Sequence, residues 1–220
     1  MSKTAILIDG GYYRKRVEKG LPHSPSEAAD ALVGYCFRHL DEPHTSHELY
    51  RIFYYDAPPC QKKIFHPLHN RTFDFSKSDY ASWMNAFLED LKKKRKIALR
   101  LGSIDEGSAV YTLSTDDTKD LLLGKRSVQD LTDDDFSTSI KQKGVDMKIG
   151  MDIASLAYKH QVDQIVLIAG DADFVPAAKI ARREGIDFVL DSLGKVVKSQ
   201  LFEHVDGMRS CGDPYKKKQK

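Results

Sequence analysis

The sequence predicts an α/β fold, with an open, mostly parallel central sheet and helices on both of its faces. Three observations carry that expectation. Apolar runs such as "KTAILID" and "QIVLIA" continue without polar alternation, as strands covered on both faces do. From Lys143 onward such runs alternate with segments of helical length and spacing, the pattern of parallel βαβ units. Acids and glycines follow directly after the strands, where an open parallel sheet presents its ligand-binding edge.

The first strand runs from Lys3 to Asp9 and ends in "DGGYY", whose glycines permit a tight turn and a close approach of backbone to a ligand. "YRKRVEK" then begins a short helix. A second helix covers "SPSEAADALVGYCFRHL": Ser24 or Ser26 can cap it, Pro25 suits its first turn, and Ala28, Leu32, Tyr35 and Cys36 recur at helical spacing. "ELYRIFYYDA", from Glu48, is a strand stopped by Pro58 and Pro59. Residues 59–75 read as a loop, and "SDYASWMNAFLEDLKKK" as an amphipathic helix capped by Ser78. "IALRLGSI" and "SAVYTLS" suggest two short strands around "DEG", while residues 114–139 mix acids with short apolar groups and fit no element. Beyond Lys143 the order is helix ("GVDMKIGMDIASLAYKH"), strand ("QIVLIA"), helix ("DFVPAAKIARRE"), strand ("IDFVLD") and a last helix ("GKVVKSQLFEHV"). A length of 220 residues suits one domain over 1–212, with an insertion at about 59–142 and a basic tail at 213–220.

With 34 Lys+Arg against 32 Asp+Glu, the net charge is +2, so a basic partner-binding surface must come from local clusters. The runs "KKKRK" at Lys92 to Lys96 and "KKKQK" at the end read as solvated lysines. The opening apolar run is too short for a signal peptide or a membrane span, and no later stretch is longer. Three cysteines without CxxC spacing predict free thiols and a cytoplasmic chain.

Asp9 ends the first strand, and Asp171 and Asp173 follow "QIVLIA", so parallel strands deliver all three to one edge of the sheet. At about 100° per residue, Asp146 lies in line with Ile149, Ile153 and Ala157 and is expected to face inward, toward the strand ends. Asp152 lies at the margin of that stripe, as a supporting acid. Converging carboxylates repel one another unless a cation neutralises them. Oxygen-only ligands favour Mg²⁺ or Mn²⁺, which polarise phosphoryl oxygens. Lys143, just before the helix, is placed to hold a phosphate or steady a carboxylate. Singly, each acid has a structural use as a helix cap or turn former; their shared edge favours a joint site.

"ILIDGGYY", "KGVDMKIGMDIASLA" and "VLIAGDADFVPAAKIARREGIDFVL" resemble the NYN domains, the LabA-like branch of the PIN-like nuclease superfamily. The resemblance covers the N-terminal fifth and the stretch from Lys143 onward. It implies a PIN-like three-layer α/β/α fold and metal-dependent cleavage of nucleic acid, most often RNA. Carried over by position, the metal-binding and catalytic acids are Asp9, Asp146, Asp171 and Asp173. One position departs: Tyr12 stands where the family usually has Asn. A non-catalytic nucleic-acid- or protein-binding regulator that kept the acidic pocket is the alternative, and homo-oligomerisation is left open.

Tyr12, Tyr13 and Trp83 are candidates to stack on bases of a single strand, with Arg14, Lys15 and Arg16 at phosphates, although Trp83 in an amphipathic helix reads as core. "HPLH" at His66 to His69 and "HTSH" at His44 to His47 lack the cysteine pairs of common zinc motifs and read as surface or loop histidines. "LGKRS" lacks the upstream glycine of a phosphate loop.

Overall fold

The computed structural model describes residues 2–17, 24–42 and 45–215. His44 and most of the lysine-rich tail lie outside the described residues. The elements, in chain order, are β1 (Ser2–Asp9), α1 (Gly10–Val17), α2 (Pro25–Arg38), β2 (His47–Asp56), β3 (Lys63–His66), β4 (Arg71–Asp74), α3 (Asp79–Lys93), β5 (Ile97–Leu101), β6 (Ser103–Leu113), α4 (Thr115–Leu122), β7 (Phe136–Lys143), α5 (Val145–Tyr158), β8 (Gln164–Ile168), α6 (Val175–Arg183), β9 (Asp187–Asp191), α7 (Ser199–Phe202) and β10 (Gly207–Met208).

Six strands form one parallel sheet in the order β10-β9-β8-β1-β2-β5. Alternation along its strands divides the core into two layers. Ala5, Leu7, Phe53, Tyr55, Ile165 and Leu167 pack under α5 and α6. Ile6, Ile8, Ile52, Tyr54, Val166 and Ile168 face α1, α2 and α3. All five residues of β8 are buried, which is why its sequence shows no polar alternation. The result is a three-layer α/β/α fold, as the sequence predicts.

The helix starts follow local chemistry. Ser24 caps α2 with Pro25 in its first turn. Ser78 Oγ accepts the Ala81 amide at 3.1 Å at the start of α3. Tyr13 is buried in the core, and Trp83 stacks on Phe87 with ring centroids 5.2 Å apart. Cys36, Cys60 and Cys211 are free. Among the described residues no helix is long and apolar enough to cross a membrane.

Four segments differ from expectation. Residues 114–139, which fit no element by sequence, hold α4, capped by Ser114, and the start of β7. Residues 59–75 contain an antiparallel hairpin, β3 with β4, closed by a turn in which Asn70 takes φ 47°. Its strands are four residues long and one inward position is His66, so the period of two is masked. "DEG" separates no pair of strands; it lies within β6, which pairs along its length with β7 across a register shift between Asp105 and Val110. Such a bulge accommodates residues that otherwise disfavour strands. The long last helix reduces to one turn, α7, because the chain returns to pair β10 with β9. Val196, an expected apolar position, is 98% exposed.

Candidate functional site

The sheet order reverses its direction of winding between β1 and β8, and the crevice beyond the carboxyl ends of two such strands is where open α/β sheets bind ligands. Ile8 pairs with Ile168, so Asp9 and Ala169 leave the sheet side by side and Asp171 follows two residues later. By alternation Asp9 shares the face of Ala5 and Leu7, the face covered by α5. The amino end of α5 brings Asp146 to the same edge, and the turn after β8 brings Asp173.

Their electrostatics show that they interact. Burial raises the Asp9 carboxyl above the ordinary range, the hydrogen bond from the Tyr12 amide at 3.0 Å pulls against it, and the charge of Asp146 adds to the rise. Burial and then the charges of Asp171 and Asp173 raise Asp146. Asp146 is exposed as a residue, so mutual repulsion is the part of its shift that bears on cation binding. Helix phase predicts an inward Asp146; instead the residue is exposed, while its charge still reaches Asp9 at the strand end.

Among the described residues none of the four acids makes an ion pair. The other acids that end strands of the central sheet do. Asp56, at the end of β2, lies on the opposite face and binds the Arg14 guanidinium, the Tyr54 hydroxyl at 2.8 Å and the Gln142 amide at 3.2 Å. Asp191, at the end of β9, meets His39 Nε2 at 3.0 Å and the Ser210 hydroxyl at 2.6 Å. Gly10 makes this packing possible, since a Cβ there would stand 2.5 Å from Asp56 Oδ2.

The other predicted residues are placed as follows. The Tyr12 ring lies against Gly170, where a Cβ would come within 2.4 Å of it, and its hydroxyl donates to the Ser192 carbonyl at 2.6 Å. Arg14 turns inward to Asp56. Lys143 is exposed and pairs with Asp105 at 2.9 Å. Asp152 accepts from the Tyr55 hydroxyl at 2.8 Å and from Arg100 Nε at 2.9 Å, one layer behind the strand ends. Asp171 Oδ1 accepts the Asp173 amide at 3.1 Å, so Asp171 is the acid that caps the following turn. An open groove of about 430 Å³ runs between α5 and α6 beside Asp146 and Asp173, lined by Met147, Met151, Phe174 and Ile180.

Asp56 and Gln142 are absent from the sequence-based set. Asp56 was within reach of the same rule, since "YYDAPP" also puts an acid at a strand end. The histidine reading needs correction: His66 is buried, and it meets His69 and the remote Asp133. These three are the one group of potential ligand atoms, among the described residues, that lie within 4.8 Å of one another. No three of the four acids at the sheet edge bring their ligand atoms that close together.

The chain matches the NYN domain family over residues 84–198, a stretch that includes Asp146, Asp171 and Asp173 and leaves out Asp9. No curated protein matches it significantly. Among solved structures it is similar to the crystal structure of a protein of unknown function from Vibrio parahaemolyticus, at 13% identity and a TM-score of 0.49, over 97% of this chain and 94% of that one.

Proposed function

The chain belongs to the NYN domain family, whose members are typically nucleases, and from that premise we propose a divalent-metal-dependent endonuclease that cleaves single-stranded nucleic acid, RNA in the first place. The reading places it in the LabA-like branch, as one domain over 1–212 acting in the cytoplasm. The observation that carries it is the contrast among strand-end acids. Asp56 and Asp191 are answered by cationic or hydrogen-bonding partners, whereas Asp9, Asp146, Asp171 and Asp173 share an edge with raised protonation at Asp9 and Asp146 and no ion pair. A donor set of carboxylate oxygens alone suits Mg²⁺ or Mn²⁺, which take one or two carboxylates directly and reach others through bound water.

In this reading Asp9, Asp146 and Asp171 hold the cation, and Asp173 steadies it or orients the attacking water. A bound divalent cation supplies charge that polarises the phosphoryl oxygen. The Tyr12 amide fixes the Asp9 carboxylate, and Asp152 holds Tyr55 and Arg100 behind it. Lys143 and the exposed Lys15 contact phosphates of the strand, and the groove between α5 and α6 takes an unstacked base.

One observation favours the binding-only alternative: the Tyr12 ring occupies room beside Gly170 at the edge where substrate would lie. The test is cleavage of labelled single-stranded RNA and DNA by the pure chain, with Mn²⁺ or with chelator, beside Asp9→Asn and Asp171→Asn. Metal-dependent cleavage that falls about 100-fold or more in both variants is expected. Equal cleavage by variants and wild type sinks the nuclease reading. Binding of RNA without any cleavage replaces it with the regulator.

A further inference from the structure

We propose that His66, His69 and Asp133 form a second metal site, for a divalent transition cation of the zinc class, which fastens the β3–β4 turn to the segment before β7. This site is independent of the acids at the sheet edge. His66 closes β3 and His69 lies in the turn that follows, so the spacing HxxH puts both imidazoles at the same end of the hairpin. Asp133 comes from the short 3-10 turn Asp133–Asp135, far along the chain. The pairing of β6 with β7 and the packing of β3 near β6 bring the two segments together.

The geometry is that of a site close to closure. His69 Nε2 stands 2.6 Å from Asp133 Oδ1, and His66 Nε2 stands 4.0 Å from the same oxygen. The two rings have centroids 4.7 Å apart. All three ligand atoms fall within 4.8 Å of one another, and a tetrahedral zinc site needs separations of about 3.3 Å. Closure needs His66 and Asp133 to approach and the hydrogen-bonded His69–Asp133 pair to open by under about 1 Å, adjustments that fall on a turn residue and an exposed aspartate.

His66 supplies an independent reason to expect a ligand there. The residue is 5% exposed, packed among Phe73, Tyr111 and Phe136, with the Tyr111 ring centroid 4.2 Å away. Its Nδ1 has no hydrogen-bond partner, and its Nε2 is beyond hydrogen-bond distance of Asp133. Buried polar groups are normally partnered; the orphaned Nδ1 marks a ring that hydrogen bonding does not account for, and Nε2, on the side of Asp133, is the nitrogen it offers to a cation. Among the described residues Asp133 pairs with no Lys or Arg, only with the two imidazoles, so its charge is available.

The donor set distinguishes the two sites. Two imidazoles and one carboxylate suit zinc-class ions, whereas oxygen-only sets suit Mg²⁺ and Mn²⁺. With three protein ligands, a fourth position remains open toward solvent, because His69 and Asp133 are partly exposed. The distance between sites follows from β7: Phe136 touches His66, while Gln142, six residues on, bonds Asp56 beside the acidic edge, a span of about 20 Å. The cation therefore acts on the stability of the β6–β7 arm rather than on chemistry at the acids.

The experiment is calorimetric titration of the chelator-treated full chain with Zn²⁺, paralleled by Co²⁺ and its visible absorption. One tight equivalent is expected, with the absorption of a tetrahedral site and a rise in the unfolding temperature. His69→Ala and Asp133→Asn, both at accessible positions, each weaken binding about 100-fold or more and abolish the thermal shift. The double variant Asp9→Asn/Asp171→Asn, which disables the proposed nuclease site, binds Zn²⁺ as tightly as wild type. Loss of Zn²⁺ binding in that double variant, undiminished binding in His69→Ala and Asp133→Asn, or no binding tighter than about 100 μM each overturns the site.

Discussion

Asp9 and Asp56 end neighbouring strands, and the alternation of side chains sends them to opposite faces. Asp56, on the face of α1, is fully buried and answered by Arg14; Asp9, on the face of α5, makes no ion pair, and the charge of Asp146 acts on it more strongly than that of Arg14. Removing one partner of a buried pair strands the other charge, so Asp56→Ala is expected to cost about 3–5 kcal/mol in urea unfolding. Asp9→Asn relieves repulsion and desolvation, and its unfolding midpoint is expected to match or exceed that of wild type. An Asp9→Asn loss as large as that of Asp56→Ala would mark Asp9 as a structural acid. A crowded neighbour gives a third case at this scale: Gly10→Ala drives a methyl toward Asp56 and Tyr54, and overpacking of that kind costs about 1–3 kcal/mol.

Elements whose signal is local were legible in the sequence. Ser24 and Ser78 start α2 and α3 where their caps predict, because capping is decided within three residues of the helix start. Ser78→Ala is accordingly expected to lower stability by about 1 kcal/mol, read as a shift in the denaturation midpoint at constant slope. The β3–β4 hairpin, the long β6–β7 ribbon and the brevity of α7 were not legible. In each, pairing with another strand overrides the local pattern: His66 occupies an inward place, a bulge absorbs "DEG", and β10 draws the chain back to β9.

Across the whole molecule, the segment after β10 closes over the end of α2 through a part-buried junction centred on the buried Asp191 and His39. Arg209 donates to the carbonyls of His39 and Asp41, Arg38 to those of Cys211 and Asp213, and Ser210 to Asp191. Burial alone would raise Asp191, but hydrogen bonds from His39, Ser210 and Tyr35 outweigh it and hold the carboxyl low. Burial likewise opposes charge on His39, and Asp191 overrides it to raise the imidazole. The depressed Asp191 contributes stability that is lost as pH falls through its folded pKa, below about 4; the raised His39 contributes stability that is lost as pH rises through its folded pKa, above about 6.5. Unfolding temperatures measured from about pH 3 to about pH 9 are expected to show the junction's full contribution between those limits. Asp191→Asn should flatten the acid limb and His39→Gln the alkaline one; unchanged limbs in both variants would show that other groups govern the profile.

By itself the sequence determined the layers, the caps and the acids at the strand ends, because buried strands, helix starts and their spacing are written in short stretches of chain. The tertiary structure alone decided which acids stay without a cation. Strand order sets β8 beside β1, and so puts Asp171 beside Asp9. Alternation turns Asp56 toward Arg14 and Asp191 toward His39. It also brought His66 and His69 to Asp133. The physical reason is that burial pattern is a property of a segment, whereas the partner that answers a charge comes from whichever element the sheet places next to it.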